Sequence, residues 1–117
     1  MTLQHVALET HPRDADALIA FFGLVGFEEV EPPEGLRGRA RWVERSGTQI
    51  HLLLNDDPVA PRMGHAAVVA PDYDDALARL RAAGHEVSER AEYWGSPRSF
   101  AIAPGGHRVE VMARPPS

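Results

Sequence analysis

Apolar and polar positions along the chain fall into short alternating runs and two helical stripes, and the order of these elements occurs twice. Gln4-His5-Val6-Ala7-Leu8-Glu9 reads as a strand in which Val6 and Leu8 share one face and His5, Ala7 and Glu9 the other. His11-Pro12-Arg13-Asp14 is a turn, with Asp14 as the candidate helix cap. Leu18, Phe21, Phe22 and Val25 then recur at offsets 0, 3, 4 and 7, the stripe of a helix over 15–25 that Gly26 stops. A strand is expected over 27–31, broken by Pro32-Pro33-Glu34-Gly35. Two more follow over 39–44 and 48–54, with Arg45-Ser46-Gly47 as their hairpin turn. In the last of these, Ile50, Leu52 and Leu54 share a face while Gln49, His51 and Leu53 share the other. If the apolar faces pack on the helix, His5 and His51 both point away from it.

Residues 55–63 carry two prolines and two aspartates and read as a linker between modules of about 1–56 and 62–114 within one domain. The βαβββ order then returns. Gly64-His65-Ala66-Ala67-Val68-Val69-Ala70-Pro71 is a strand opened by glycine and closed by proline. Residues 72–75 offer capping groups, and Ala76, Leu77, Leu80 and Ala83 form the helical stripe before Gly84. Strands are expected over 85–90, 99–103 and 108–112, a loop over 91–97, and a turn at Pro104-Gly105-Gly106. The tail from Arg114 is expected to fray.

The spacing supports an internal repeat. His5 to His65 is 60 residues, Gly26 to Gly84 is 58, Gly47 to Gly106 is 59 and His51 to Glu110 is 59. A repeat constrains a fold more than any single segment does. It makes His5 equivalent to His65 and His51 equivalent to Glu110, four residues able to bind metal.

Composition narrows the chemistry. The chain has 117 residues, 44% hydrophobic and 25% charged, the make-up of one globular domain. A net charge of -5 argues against nucleic acid and anionic membranes as partners. There is no cysteine, which excludes thiolate catalysis and zinc-thiolate sites. All 12 basic residues are arginine, which excludes a lysine Schiff base. No apolar stretch approaches the ~20 residues of a membrane span, and a cytoplasmic location is the expectation.

With the repeat in view, His5-Val6-Ala7-Leu8, Gly64-His65-Ala66 and Pro104-Gly105-Gly106-His107-Arg108-Val109-Glu110-Val111 resemble the vicinal oxygen chelate superfamily. Its members include glyoxalase I, extradiol dioxygenases, methylmalonyl-CoA epimerase, fosfomycin-resistance enzymes and bleomycin-binding proteins. The resemblance covers essentially the whole chain. It implies an α+β fold of two βαβββ modules, their mixed sheets curled into a cup with the helices outside. It also implies one divalent metal that holds adjacent oxygens of a substrate. By position the ligands would be His5, His51, His65 and Glu110. Glyoxalase I has a glutamate where His51 stands, so only Glu110 remains to act as a base here. Three histidines and a carboxylate suit Zn, Ni, Mn or Fe. Without His51 the set becomes that of a non-haem iron facial triad, although dioxygenases of the superfamily usually carry more modules.

Other polar and aromatic residues have plainer readings beside the functional ones. Trp42, Tyr93 and Trp94 can wall a substrate pocket or simply belong to core and interface. Arg98, placed in the Gly95-Ser96-Pro97-Arg98 loop, can hold a substrate carboxylate or phosphate or be a solvated arginine. His11, His85 and His107 have no repeat equivalents and read as structural or solvated. The expected activity is that of a metal-dependent lyase or isomerase acting on a small substrate with vicinal oxygens, with Glu110 as proton shuttle. The alternatives are a metal-free antibiotic-binding protein and a small iron dioxygenase. A homodimer is expected, because half-open sheet edges favour pairing.

Overall fold

Strand β1 (His5–Thr10), helix α1 (Ala15–Gly23) and strands β2 (Glu28–Val30), β3 (Ala40–Arg45) and β4 (Thr48–Leu54) form the first of two units in a computed structural model that describes all 117 residues. This unit spans Met1–Ala60. Its sheet has the order β1-β4-β3-β2, with β1 parallel to β4 and the other pairs antiparallel. The parallel pair is possible because the intervening α1, β2 and β3 supply the crossover that a hairpin cannot.

Leu18, Phe21 and Phe22 of the α1 stripe are fully buried, with Val25 just beyond the helix at 2% exposure. Phe22 meets Phe21 and Phe27 edge-on at 5.3 and 5.7 Å between ring centroids. Val43, Ile50 and Leu52 are equally buried in the sheet, so the alternation of β4 serves as the sequence implied. Two details differ from expectation. Helix α1 ends at Gly23, because Leu24 to Gly26 form a closing turn with Gly26 at φ +94. Asp14 makes no side-chain cap; the His11 ring accepts the Arg13 N–H at 3.1 Å and caps a preceding 3-10 turn instead. The β3–β4 hairpin pairs Arg45 with Thr48, and Ser46 and Gly47 both take positive φ, the I′ geometry that matches strand twist.

The second unit, Pro61–Ser117, repeats this topology. Strand β5 (Ala66–Val69), helix α2 (Tyr73–Ala82) and strands β6 (Val87–Arg90), β7 (Arg98–Ile102) and β8 (Arg108–Met112) form a sheet of order β5-β8-β7-β6, again parallel only at its β5–β8 pair. The helical stripe is displaced by one position set: Tyr73, Ala76, Leu77 and Leu80 are buried while Ala83 is exposed. The reason is Tyr73, whose hydroxyl reaches the buried Ser99 hydroxyl at 2.6 Å and draws the first turn onto the sheet. Asp72 pairs with Arg79 at 2.8 Å rather than capping the helix.

Arg98 is not a loop residue. It opens β7, so its side chain is committed to one face of the sheet. The tail is held further than expected: Arg114 accepts the Trp94 indole N–H at 2.8 Å and donates to the Gly95 carbonyl at 3.0 Å, leaving only Pro115 onward free of such bonds. No helix is long and apolar enough to cross a membrane.

Candidate functional sites on two sheet faces

Register shows how each unit aims its polar residues. In the first, Ala7 lies opposite His51 and Trp42 pairs with His51 across β3–β4. In the second, Ala67 lies opposite Glu110 and Phe100 pairs with Glu110. The two sheets therefore place histidine, a second ligand-capable residue and an aromatic ring at matching positions on the face away from the helix: His5, His51 and Trp42 in one, His65, Glu110 and Phe100 in the other.

On the first face these side chains form a continuous stack. The His5 and His51 rings are parallel to within 18° at 4.0 Å, and Trp42 lies on the other side of His51 at 3.9 Å and 4°. Enclosure between two rings leaves His51 8% exposed. Loss of water, and secondarily the neighbouring His5, lowers its pKa from 6.5. The neutral ring is thus favoured, which is the form a metal requires. Gln4 Oε1 accepts from His5 Nδ1 at 2.7 Å and Gln49 Oε1 accepts from His51 Nε2 at 2.8 Å. Each ring is left with its other nitrogen as the lone-pair atom, the orienting arrangement seen around metal-binding histidines.

On the second face His65 Nδ1 donates to the Met63 carbonyl at 2.9 Å and Nε2 lies 3.0 Å from Glu110 Oε1. Both of those last two atoms carry lone pairs, which a shared proton or a cation can bridge. Ligands held at about 2.1 Å on one ion, at angles of about 90–110°, stand about 3.0–3.4 Å apart. The spacing thus fits replacement of that proton by a cation. The other carboxylate oxygen, Glu110 Oε2, is 3.5 Å from Arg98 Nη1. Arg98 also donates from Nε to the Ala91 carbonyl at 2.8 Å, and its guanidinium lies 5.0 Å from the Tyr93 ring and 5.9 Å from Trp94.

The four expected ligands are brought together as two pairs, His5 with His51 and His65 with Glu110; no group of three or more ligand-type side chains is gathered closely enough to hold a metal. Trp42 joins the first pair, and Arg98 and Trp94 lie beside the second. The sequence reading passed over Gln4 and Gln49, which fix the ring nitrogens, and Phe100, against which the His65 ring stands edge-on at 4.8 Å. The signal for Phe100 was present in the alternation of β7, which puts Arg98, Phe100 and Ile102 on one face.

A family model for the Glyoxalase/Bleomycin resistance protein/Dioxygenase superfamily matches residues 2–111. The chain belongs to this superfamily. Solved structures agree on the fold. A glyoxalase family protein from Bacillus anthracis superposes with a TM-score of 0.85 at 23% identity, over 96% of this chain and 93% of that one. The oxidase ChaP-H1 gives 0.74 at 20% identity, over 98% and 97%. The bleomycin resistance determinant encoded on transposon Tn5 gives 0.70 at 13% identity, over 96% and 97%. At such identities the likeness speaks for the α+β fold alone. No curated protein matches the chain.

Proposed function

We propose that this superfamily member is a metal-dependent lyase or isomerase acting on a small substrate with vicinal oxygens. The side chains offered to a divalent ion are His65 and Glu110 on the open face of the second unit and His5 and His51 on that of the first. The observation that carries this reading is the His65–Glu110 pair, with Nδ1 fixed on the Met63 carbonyl and Nε2 at 3.0 Å from the carboxylate. When bound, the ion would supply Lewis acidity to adjacent substrate oxygens. The chain's own contributions are positional. Glu110 is the one carboxylate of the set, which makes it the group to take or return the proton of a substrate C–H. Arg98 holds the second oxygen and so restrains the carboxylate's rotation. Trp42 and the rings behind it offer a flat wall to a substrate.

The test is solvent deuterium incorporation at the C–H beside the oxygens in a panel of 2-hydroxyketones and hemithioacetals, with protein loaded separately with Zn, Ni, Mn and Fe. Exchange in wild type that is lost in Glu110→Gln supports the reading. Tight metal binding without exchange or turnover of any panel member would refute it.

The stacked Trp42–His51–His5 wall favours a second reading, a metal-free protein that sequesters a planar drug. Binding of bleomycin by chelator-treated protein, weakened in Trp42→Ala, separates the two. A homodimer is also proposed, from the exposed short edge strand β2, and light scattering measures it directly.

A further inference from the structure

We propose that the open face of the second sheet is an oxyanion-binding site, where Arg90, Arg98 and Arg108 take a phosphate, phosphonate or carboxylate group of a small substrate. Three guanidinium groups surround one ring. The Cζ atoms of Arg108, Arg90 and Arg98 lie 4.7, 5.3 and 5.8 Å from the Phe100 centroid. They come from three adjacent strands. Arg90 pairs with Arg98 across β6–β7, and Arg108 stands two residues from Glu110 on β8.

The charge balance is what calls for a ligand. Elsewhere Arg37, Arg41 and Arg79 each pair with a carboxylate at 2.8–3.1 Å. Around Phe100 only Arg98 has one, Glu110 at 3.5 Å, while Arg90 and Arg108 form no ion pair. Three positive charges against one carboxylate thus gather on a chain whose net charge is -5. Like charges held this close repel, and the Phe100 ring offsets only part of that through its negative face. An oxyanion would relieve the repulsion. The planar, many-donor guanidinium is matched to phosphate and carboxylate geometry. Tyr93, 75% exposed, and Trp94 flank Arg98 and suit a ligand with an apolar body next to its charged group.

The inference deepens the proposed function by naming the substrate's charged group, and rests on it only for placing the substrate on this face. It is therefore tested on metal-free, chelator-treated protein, so that the two ideas fail separately. Phenylphosphonate and malonate are titrated by calorimetry at low and high salt, with 1-phenylethanol as the uncharged control. Saturable binding of at least one anion is expected, weaker at high salt, and absent for the control. The tighter anion identifies the phosphate-type or carboxylate-type source. Arg90→Gln and Arg108→Gln should each weaken binding about tenfold, whereas Arg37→Gln, in the first unit, should leave it unchanged. Arg90 is exposed, so that variant keeps the test valid should Arg108→Gln fold poorly. No saturable binding by folded wild type, or equal affinities in Arg37→Gln and both second-unit variants, would overturn the proposal.

Discussion

The two units share a backbone plan and differ in what they display on one side of it. By register, Trp42 corresponds to Phe100, His51 to Glu110, Ala40 to Arg98 and Gln49 to Arg108. On the helix side both are apolar, with Leu18, Phe22, Val43 and Leu52 in one and Leu80, Ala101, Val109 and Val111 in the other, none more than 0% exposed. On the open side the first unit presents stacked rings with glutamine acceptors, and the second presents a carboxylate among arginines. Packing tolerates few alternatives where a helix seals a sheet, whereas the open face carries no such demand. A duplicated scaffold can therefore keep its core and diverge in chemistry one strand position at a time.

The helix sides should prove equally indispensable. Phe22→Ala in the first unit and Leu80→Ala in the second should each destabilise the protein by about 3–5 kcal/mol, read from urea unfolding. A loss below about 1 kcal/mol for either would mean that one unit contributes little to folding. The faces, in contrast, should separate in ligand binding. Phe100→Ala removes the ring that the three guanidiniums share and should weaken anion binding severalfold in the calorimetric titration, while Trp42→Ala should not change it.

A smaller contrast lies in how each helix is tied to its sheet. Tyr73 and Ser99 form a buried hydroxyl pair, and Ser99→Ala should cost about 1–2 kcal/mol by leaving the Tyr73 hydroxyl without a partner. The residue matching Ser99 in the first unit is Arg41, which pairs with Asp16 and with Glu29 at 3.0 Å. Both carboxylates are partly or largely exposed, and Arg41→Gln should cost under about 1 kcal/mol.

The smallest effect is a pH dependence set by His51 in the first unit. The folded-state pKa of His51 is below the 6.5 of the free side chain, chiefly through burial. The unfolded chain then binds more protons than the folded one, so stability should rise with pH up to about 6.5 and fall as pH drops below it. His51→Gln should flatten that slope in urea unfolding at pH 5 and pH 7.5.

Much of this was legible in the sequence. The limits of β4 and β8 follow from alternation bounded by turn residues, and the repeat spacing placed His5, His51, His65 and Glu110 on faces away from the helices. What the sequence could not convey was register. Arg98 follows Gly95-Ser96-Pro97 and reads as loop, but pairing with Arg90 and Met112 makes it the first residue of β7. The gathering of Arg90, Arg98 and Arg108 on Phe100 depends on the same cross-strand pairing, which is set by the length and path of the 91–97 loop. The displaced stripe of α2 has a similar origin. Tyr73 reads as part of a polar turn until its hydroxyl finds Ser99 on a strand 26 residues on.

The most direct test of the central claim is the metal content of protein purified without added metal or chelator, with wild type, His65→Ala and His51→Ala measured side by side. Near-stoichiometric divalent metal in the wild type, lost in His65→Ala and reduced in His51→Ala, is the predicted result. Metal-free wild type that also takes up no Zn, Ni, Mn or Fe on soaking would contradict it.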